Sequence, residues 1–299
     1  MAFGVFLPYI QPTQINRTTF LTWCQRIDQG PFTTLAHGER TAWATFEHFT
    51  ALAAMAVATE RVQLWSHTLN LPLHPADFAA KRIATIDVLS EGRYTLVVGA
   101  GAPGRTQDWH SAEKAPLRFP HARIDTQIVQ MRKIWNGEPP TEGGELIGPM
   151  PVQKGGPKII CGAQGPKGRA RGARWGDGYA GFIGDENTPM GTVVELREIA
   201  SQNRALWSDT GRAGTPYLST SCFFALGANA KERLAKIGAA YIDISLPGVN
   251  GDIFWINSAD AVRQVIANCK EAGFDQLVFI PTADDIAELD ELSTILATY

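Results

Sequence analysis

Hydrophobic and polar positions along this 299-residue chain follow two alternating patterns. Short runs rich in β-branched and aromatic residues recur along the chain, and segments with apolar residues at a helical period separate them. Strands that alternate with helices in this way are typical of βα units and a parallel sheet. The runs predict β-strands at Ala2–Pro8, Phe32–Ala36, Val62–Leu69, Tyr94–Val98, Lys158–Cys161, Tyr179–Ile183, Tyr217–Leu226 and Gln276–Ile280.

Three intervening segments carry the helical stripe most clearly. Their apolar members are Phe46, Phe49, Ala53 and Ala56; Ile124, Ile128, Met131 and Trp135; and Val262, Val265, Ile266 and Cys269. The ends of two helices are also marked. Pro75 suits a first helical turn and Gly92 a C-terminal stop, while Ser258 predicts an N-cap for the late helix that Gly273 ends.

The strands and helices follow one another without a change of composition or a Gly/Ser linker. This favours one closed (β/α)8 barrel, a TIM barrel that uses residues 1–299 as a single domain, over an open sheet. Two stretches do not fit a bare barrel, Gly137–Pro157 and Tyr241–Asn257. We expect both to be insertions at the rim, near an active site formed by the loops that follow the strands.

Composition and charge exclude several classes of protein. With 27 Lys and Arg against 30 Asp and Glu, the net charge of -3 gives no reason to expect a nucleic acid or an anionic membrane as partner. The most apolar helical window, Phe49–Ala58, is too short to cross a bilayer, and the N-terminus lacks the pattern of an export signal. The four cysteines form no CxxC pair and no HExxH motif is present, so we expect buried, reduced thiols in a cytoplasmic protein without a metal site.

A GxGxxG motif, Gly99 to Gly104, directly follows the fourth predicted strand. A dinucleotide-binding fingerprint would need these glycines to open a helix after the first strand. Pro116 and Pro120 instead break the segment that follows. The alternative, which we favour, is that the glycines let a flat ligand approach the backbone at a strand end.

A second turn of small residues, from Cys161 to Pro166, follows the fifth predicted strand and leads into a basic segment with Lys167 and Arg169. This turn opens a predicted helix, whose free N–H groups and positive dipole end form an anion site. The pattern therefore predicts a phosphate site. An ordinary tight loop before a solvated basic helix is the alternative.

Histidine concentrates at the ends of two strands. His37 ends the second predicted strand, with Glu39 beside it, and His67 lies at the end of the third. Polar side chains at these ends face the mouth of a barrel, where histidine acts as an acid, a base or a hydrogen-bond donor. A structural histidine at the rim is the alternative for each. We expect three other histidines at the surface, namely His48, His110 and His121.

Several of these motifs together resemble the bacterial luciferase-like flavin monooxygenase family, which also includes barrels that use coenzyme F420. The most specific stretch runs from Pro72 to Gly101 and contains Ile83–Ser90 followed by Gly92-Arg93. The resemblance resumes from Ile134 to Gly137 and again from Ile159 through Gly178. It implies a barrel that holds a reduced flavin-type cofactor at its C-terminal mouth.

The resemblance also implies which residues bind the cofactor. Its phosphate would rest on the backbone of Gly162, Ala163, Gln164 and Gly165. Its tricyclic ring would lie near the ends of strands three and four, where family members often carry a cis peptide bond, at Ser66, His67, Asn70 and Gly99. Two departures from the family pattern are Trp65, where relatives carry a small residue, and Ala102, where F420-dependent dehydrogenases tend to keep an acid.

Two chemistries follow from the resemblance. In the first, which we favour, FMN reduced by a separate flavin reductase reacts with oxygen, and His37, Glu39 or His67 acts in catalysis. In the second, coenzyme F420 exchanges a hydride with an organic substrate. A flavin-binding barrel without catalysis is a third alternative. The resemblance further implies a homodimer packed through Trp43–Thr59.

The substrate pocket is expected among three loops, Gly101–Pro120, Gly137–Pro157 and Tyr241–Asn257. Aromatic residues at the predicted rim favour a small apolar or planar organic molecule as substrate, and they are Trp109, Phe254 and Trp255.

Overall fold

The computed structural model describes residues 1–8, 16–40, 44–101, 120–163, 165–183, 191–236 and 256–299. Parallel strands pair in chain order, and the last pairs with the first to close a barrel. They are β1 Ala2–Phe6, β2 Thr34–His37, β3 Gln63–Asn70, β4 Tyr94–Gly99, β5 Lys158–Cys161, β6 Gly178–Phe182, β7 Tyr217–Phe224 and β8 Gln276–Pro281. The predicted (β/α)8 barrel and all its strands are confirmed, and only strand ends differ.

Helices alternate with these strands along the chain. In the described ranges they are α1 Arg17–Gln29, α2 His48–Ala58, α3 Ala76–Leu89, α4 Pro120–Trp135, α5 Pro166–Trp175, α6 Val193–Ser208, α7 Ala259–Ala272 and α8 Ile286–Leu296. The predicted caps of α7 are confirmed, since the Ser258 side chain accepts from the Ala261 N–H and Gly273 has a φ of 80°. None of the helices described has the length and apolarity that a membrane span requires.

The core has two layers, because side chains of a strand point alternately to its two faces. Every strand contributes at least one buried residue to a cluster inside the barrel; these residues include Phe6, Ala36, Trp65, Val97, Ile160, Ala180, Phe223 and Val278. Alternate residues such as Leu35 and Leu64 face the helices, and they belong to one buried cluster with the predicted apolar stripes of α4 and α7. The four cysteines are free and buried, as predicted.

Polar side chains close the N-terminal end of the barrel interior. The Tyr217 hydroxyl donates to Gln276 Oε1 at 3.1 Å, and Gln276 Nε2 donates to Thr34 Oγ1 at 2.7 Å. Trp65 lies above this floor, with its ring centroid 6.1 Å from that of Tyr217. These side chains fill the N-terminal part of the barrel interior, so we expect a ligand to enter from the C-terminal end.

Residues 137–157 lie at the N-terminal end of the barrel, so the expectation that they line a rim near the active site is wrong. Gln153 Nε2 donates at 2.7 Å to the carbonyl of Tyr94, the first residue of β4, and its backbone N–H donates to Asp87 Oδ2. The physical reason is topological, since a segment from a helix to the next strand arrives at that strand's amino end. Residues 241–255 of the second predicted insertion lie outside the described residues.

Arg93 joins the end of α2 to the strands at the same N-terminal end. Its Nη2 donates to the carbonyls of Ala56 and Thr59 at 3.0 and 2.7 Å, and its Nη1 donates to the Val62 carbonyl at 2.9 Å. Its Nε donates to the Ser90 carbonyl. One guanidinium thus satisfies carbonyls that the last turn of α2 leaves without helical partners.

We expect Arg93→Lys to lower the free energy of unfolding by about 2–3 kcal/mol, because an ammonium cannot replace the fork and leaves buried carbonyls unsatisfied. Urea unfolding followed by circular dichroism measures the loss. The matched control is Arg263→Lys, whose exposed ion pair with Asp260 should contribute less than about 0.5 kcal/mol. Equal losses in the two variants would contradict this role of Arg93.

Candidate functional site

The carboxyl ends of β2 to β5 bring the predicted site residues onto one arc of the barrel mouth. In the strand register His37 pairs with Ser66, and Asn70 pairs with Gly99. Val98 pairs with Cys161, so the turn that begins at Gly162 follows directly. The strand order alone therefore places the predicted ring-binding and phosphate-binding segments side by side.

His67 faces the barrel interior. Its ring centroid lies 5.1 Å from that of Phe6 and 6.2 Å from that of Trp65, both of which belong to the interior cluster. The residue is buried, and its Nδ1 has no hydrogen-bond partner among the described residues. Burial lowers the pKa of His67 to about 4, so the imidazole is neutral at physiological pH. Since buried polar atoms are usually paired, this nitrogen is a candidate partner for a bound ligand.

The peptide bond between His67 and Thr68 is cis, as the family resemblance implied. The Thr68 methyl group lies 2.7 Å from the position that a Cβ on Gly99 would take, and 3.1 Å from the corresponding position on Gly162. Thr68 therefore occupies the space that these glycines leave. The expectation that Gly99 lets a flat ligand approach the backbone stays a prediction.

Gly99, the first residue of the GxGxxG motif, ends the fourth strand of a closed barrel, so the dinucleotide-fold interpretation is excluded. Residues 102–119, which include Gly104, His110 and Trp109, lie outside the described residues. The same holds for Trp43, Phe254 and Trp255. The predictions made for them stay predictions.

Ser66 lies on the opposite face of β3 from His67. Its neighbours Trp65 and His67 point into the barrel, so Ser66 points towards the helices, where it is fully buried. Its hydroxyl donates to the carbonyl of Val97 at 3.4 Å. Ser66 is thus beside the predicted ring site in sequence, but it contacts the strand rather than the interior.

His37 and His48 form a buried pair between β2 and α2. Their Nδ1 atoms lie 3.3 Å apart, and His37 points towards α2 because the preceding Ala36 faces the interior. The prediction that His48 lies at the surface is wrong, since it is only 3% exposed as the first residue of α2. Burial lowers the pKa of both rings, that of His37 to about 3, so two neutral rings share one hydrogen bond.

Glu39 uses both carboxylate oxygens. Its Oε1 lies 2.6 Å from His74 Nε2, and its Oε2 accepts from the backbone N–H of Asn70 at 2.6 Å. Burial by itself would raise the pKa of Glu39. The hydrogen bond from His74 and the one from the Asn70 N–H, with two histidine rings close by, outweigh burial and hold that pKa below its ordinary value. The carboxyl is therefore ionised and saturated.

Sequence reasoning missed His74 as a site residue. The signal was present, because His74 lies in the stretch that resembles the family, but nothing in the sequence pairs it with a carboxylate 35 positions away. His48 was missed for a similar reason. An isolated histidine at the start of an apolar helix gives no indication of the strand end that it faces.

The turn after β5 opens α5, as predicted, and Gly165 is its N-cap. A Cβ at Gly165 would meet no described atom within 4 Å. Arg169, one turn along α5, is only 7% exposed, yet its Nε and Nη1 have no hydrogen-bond partner in the part of the chain that is described. It lies three residues before Gly172 on one helix face, and a Cβ on Gly172 would collide with Cys161 at the end of β5.

This arrangement fits an anion. A helix N-terminus offers N–H donors and a positive dipole end, and a buried guanidinium without a counter-charge needs acceptors. The amide of Gly162 is already used, since it donates to the Val98 carbonyl at 2.7 Å. Of the other residues predicted to bind phosphate, Ala163 and Gly165 remain on this turn, and Gln164 lies outside the described residues.

The part of the chain that the structure describes offers no comparable site for a metal ion. Among the described residues, no group of three or more His, Cys, Asp or Glu side chains is arranged to hold one.

The sequence of this chain is similar to known oxygenases. Residues 1–288 match the model of the luciferase-like monooxygenase family. Pyrimidine monooxygenase RutA of Escherichia coli is 30% identical over 171 residues, which are 52% of this chain and 46% of that relative. The chain therefore spans about half the length of the curated relatives that it matches.

Solved structures with the same fold cover nearly the whole chain. Monooxygenase RslO1 from Streptomyces bottropensis has a TM-score of 0.75 at 18% identity, over 99% of this chain and 97% of its own. An F420-dependent secondary alcohol dehydrogenase has a TM-score of 0.75 at 13% identity, over 99% of this chain and 98% of its own. The oxygenating constituent of 3,6-diketocamphane monooxygenase from Pseudomonas putida, in complex with FMN, has a TM-score of 0.71 at 16% identity, over 99% of this chain and 96% of its own.

At these identities the structural likeness establishes the fold alone, and the sequence match carries the family. Because that match extends over residues 1–288, the protein belongs to the luciferase-like monooxygenase family of enzymes.

Proposed function

We propose that the protein is a monooxygenase that uses reduced FMN and oxygen to oxidise a small, apolar organic molecule. The observation that carries the proposal is the buried Arg169 guanidinium, which lacks a partner among the described residues, beside the N-terminus of α5. A phosphate supplies the negative charge and the acceptor oxygens that this place requires. RutA, a monooxygenase by name, supports oxygenation as the reaction, and the FMN complex of the diketocamphane enzyme supports FMN as the cofactor.

The residues present fit such a cofactor. Arg169, Gly165 and the first-turn N–H of Lys167 would hold its phosphate, with Ala163 and Gln164 on the same turn. The ring would lie at the barrel mouth near His67, Asn70 and Gly99, with Ser66 behind them. When bound, reduced FMN supplies the electrons for the activation of oxygen.

The protein's own part is to close the site and to hold a proton. Phe6 and Trp65 fill the interior beneath His67, so water has no access from below. We propose that His67 is the catalytic residue, since its ring packs on interior residues and its buried Nδ1 lacks a partner among the described residues. A neutral imidazole can donate from one nitrogen and accept at the other. His37 and Glu39 were also predicted as catalytic. His37 instead contacts His48 of α2, and Glu39 contacts Asn70 and His74, so we assign both residues supporting roles.

The wider organisation is proposed as well. Strands from Ala2 to Pro281 form one barrel, which supports a single catalytic domain over residues 1–299. A homodimer through α2 is supported by Val57, which is 71% exposed on that helix. A separate flavin reductase would supply the reduced FMN. The four free, buried cysteines support the prediction of a cytoplasmic protein.

We expect Arg169→Met to weaken FMN binding at least about tenfold, since one lost charge-assisted contact is worth about 1.5–3 kcal/mol. The same change should raise the unfolding temperature of the protein without FMN, because it removes a buried guanidinium whose Nε and Nη1 lack partners among the described residues. Flavin fluorescence titration and thermal unfolding measure the two effects. The control is Arg171→Met, whose half-exposed ion pair with Asp125 should leave FMN affinity unchanged. Unchanged affinity in Arg169→Met would reject the proposed phosphate site.

Gly165→Asp should also weaken FMN binding at least about tenfold, or 1.4 kcal/mol, because its carboxylate would stand where the phosphate binds. The fold should tolerate this change, since Gly165 has an ordinary extended backbone and Asp is a good N-cap. Gly165→Ala is the uncharged control and should bind FMN as the unchanged protein does.

A parallel titration with coenzyme F420 separates the cofactors. Tight binding of F420 alone would replace the monooxygenase proposal with anaerobic hydride transfer, and binding without any turnover would favour a non-catalytic barrel. If neither cofactor binds below about 100 µM, roughly -5.5 kcal/mol, the cofactor assignment fails.

We expect His67→Phe to lower oxygen-dependent turnover about 100-fold, because Phe keeps the packing on Phe6 and Trp65 but has no Nδ1. His67→Asn, which keeps a polar atom near that position, should recover part of the rate. A pH series adds a second readout. The pKa of His67 is about 4 in the native protein and 6.5 in the unfolded chain. Between these values the unfolded chain binds the proton more readily, so the free energy of unfolding falls as the pH falls, by up to about 1.4 kcal/mol per pH unit. His67→Phe should lose this share of the acid sensitivity in urea unfolding.

A further inference from the structure

The turn that leaves β3 is held at both ends by one carboxylate. β3 ends at Asn70, a 3-10 turn covers Leu71–Leu73, and His74 follows. Glu39 Oε2 accepts from the Asn70 N–H and Glu39 Oε1 contacts His74 Nε2, each at 2.6 Å. Glu39, which follows the end of β2, therefore contacts both the first and the last residue of this turn, Asn70 and His74.

The same turn is also held from the helix layer. Gln127 of α4 donates from Nε2 to the carbonyl of Leu71 at 3.1 Å and to that of His74 at 2.6 Å. The His74 ring packs edge-on against Phe49 of α2, with centroids 5.2 Å apart. Contacts from β2, α2 and α4 thus determine one backbone conformation for residues 70–74.

We propose that Glu39, His74 and Gln127 are positioning residues, which together hold the end of β3 and thereby place Asn70 at the barrel mouth. Glu39 does not exchange a proton with the substrate in this view, because both of its oxygens are engaged with Asn70 and His74. The consequence for cofactor affinity rests on the proposed function, whereas the effect on the turn itself does not.

Chemistry explains why a carboxylate is used. An ionised carboxylate accepts from both donors at once, and hydrogen bonds to a charged group are about twice as strong as neutral ones. An amide at position 39 could still accept from the Asn70 N–H. It could also donate to His74 if that ring carries its proton on Nδ1. Glu39→Gln is therefore a conservative variant, while Glu39→Leu removes both contacts.

The chain offers a matched control on the same helix. Gln130 lies one turn along α4 from Gln127 and donates to Asp77 of α3, away from residues 70–74. Gln130→Leu removes one side-chain amide from the same helix layer without touching the turn. It thus reports the general cost of loosening the contact between α3 and α4.

The experiment combines amide hydrogen exchange with FMN titration on the full chain. We expect the Asn70 amide to exchange at least about tenfold faster in Glu39→Leu and in Gln127→Leu. FMN affinity should fall at least about tenfold in both variants. Glu39→Gln should recover most of the protection and affinity, and Gln130→Leu should change neither.

The outcomes separate this inference from the proposed function. If the unchanged protein binds no FMN, the proposed function fails, while faster exchange confined to residues 70–74 still supports the positioning of the turn. Faster exchange of the Asn70 amide in Glu39→Leu and Gln127→Leu, with FMN affinity unchanged, would overturn the claim that these residues position the cofactor site. Equal effects in Gln130→Leu would also overturn it. If Glu39→Gln keeps protection and affinity but loses turnover, Glu39 acts chemically and the inference is wrong.

Discussion

Closure of the eight-stranded barrel is the constraint on which the rest of the structure depends. Once β8 pairs with β1, every strand has one face towards a confined interior and one towards the helices. The interior holds few side chains, and the Tyr217–Gln276–Thr34 floor and Trp65 fill its lower part. A ligand can thus reach only residues at the carboxyl ends of the strands. Every role assigned to His67, to the turn after β5 and to the turn after β3 follows from this geometry.

The two ends of the barrel use buried polar groups differently. At the amino end, Arg93 and Gln153 meet backbone carbonyls and carboxylates at ordinary hydrogen-bond distances, so these groups contribute to stability. At the mouth, Arg169 and His67 are buried but lack partners for named atoms among the described residues. Because an unpaired buried polar atom costs free energy, such atoms are expected where a ligand supplies the missing partner. The contrast between saturated Glu39 and unsaturated Arg169 separates residues that hold the site from residues that bind.

Much of the fold and part of the site could be predicted from the sequence. Features that depend only on near neighbours in the chain were predicted correctly. They are the strands, the caps of α7, the start of α5 and the buried apolar stripes of α4 and α7. The family resemblance also indicated a cis bond at the end of β3, and His67–Thr68 carries it. Failures occurred where a residue's surroundings come from elsewhere in the chain. His48 was expected at the surface but packs on His37, and residues 137–157 were expected at the mouth but lie at the amino end.

The sequence by itself determined the alternation of strands and helices, the family and the kinds of residue at each strand end, because these depend on periodicity and on near neighbours. Only the tertiary structure decided which of those residues can act together. It put Ser66 and His67 on opposite faces of β3 and joined Glu39 to His74. It also left the Arg169 guanidinium buried beside the first turn of α5. The physical reason is that burial, pairing and access to the mouth belong to the closed barrel, and no stretch of sequence contains them locally.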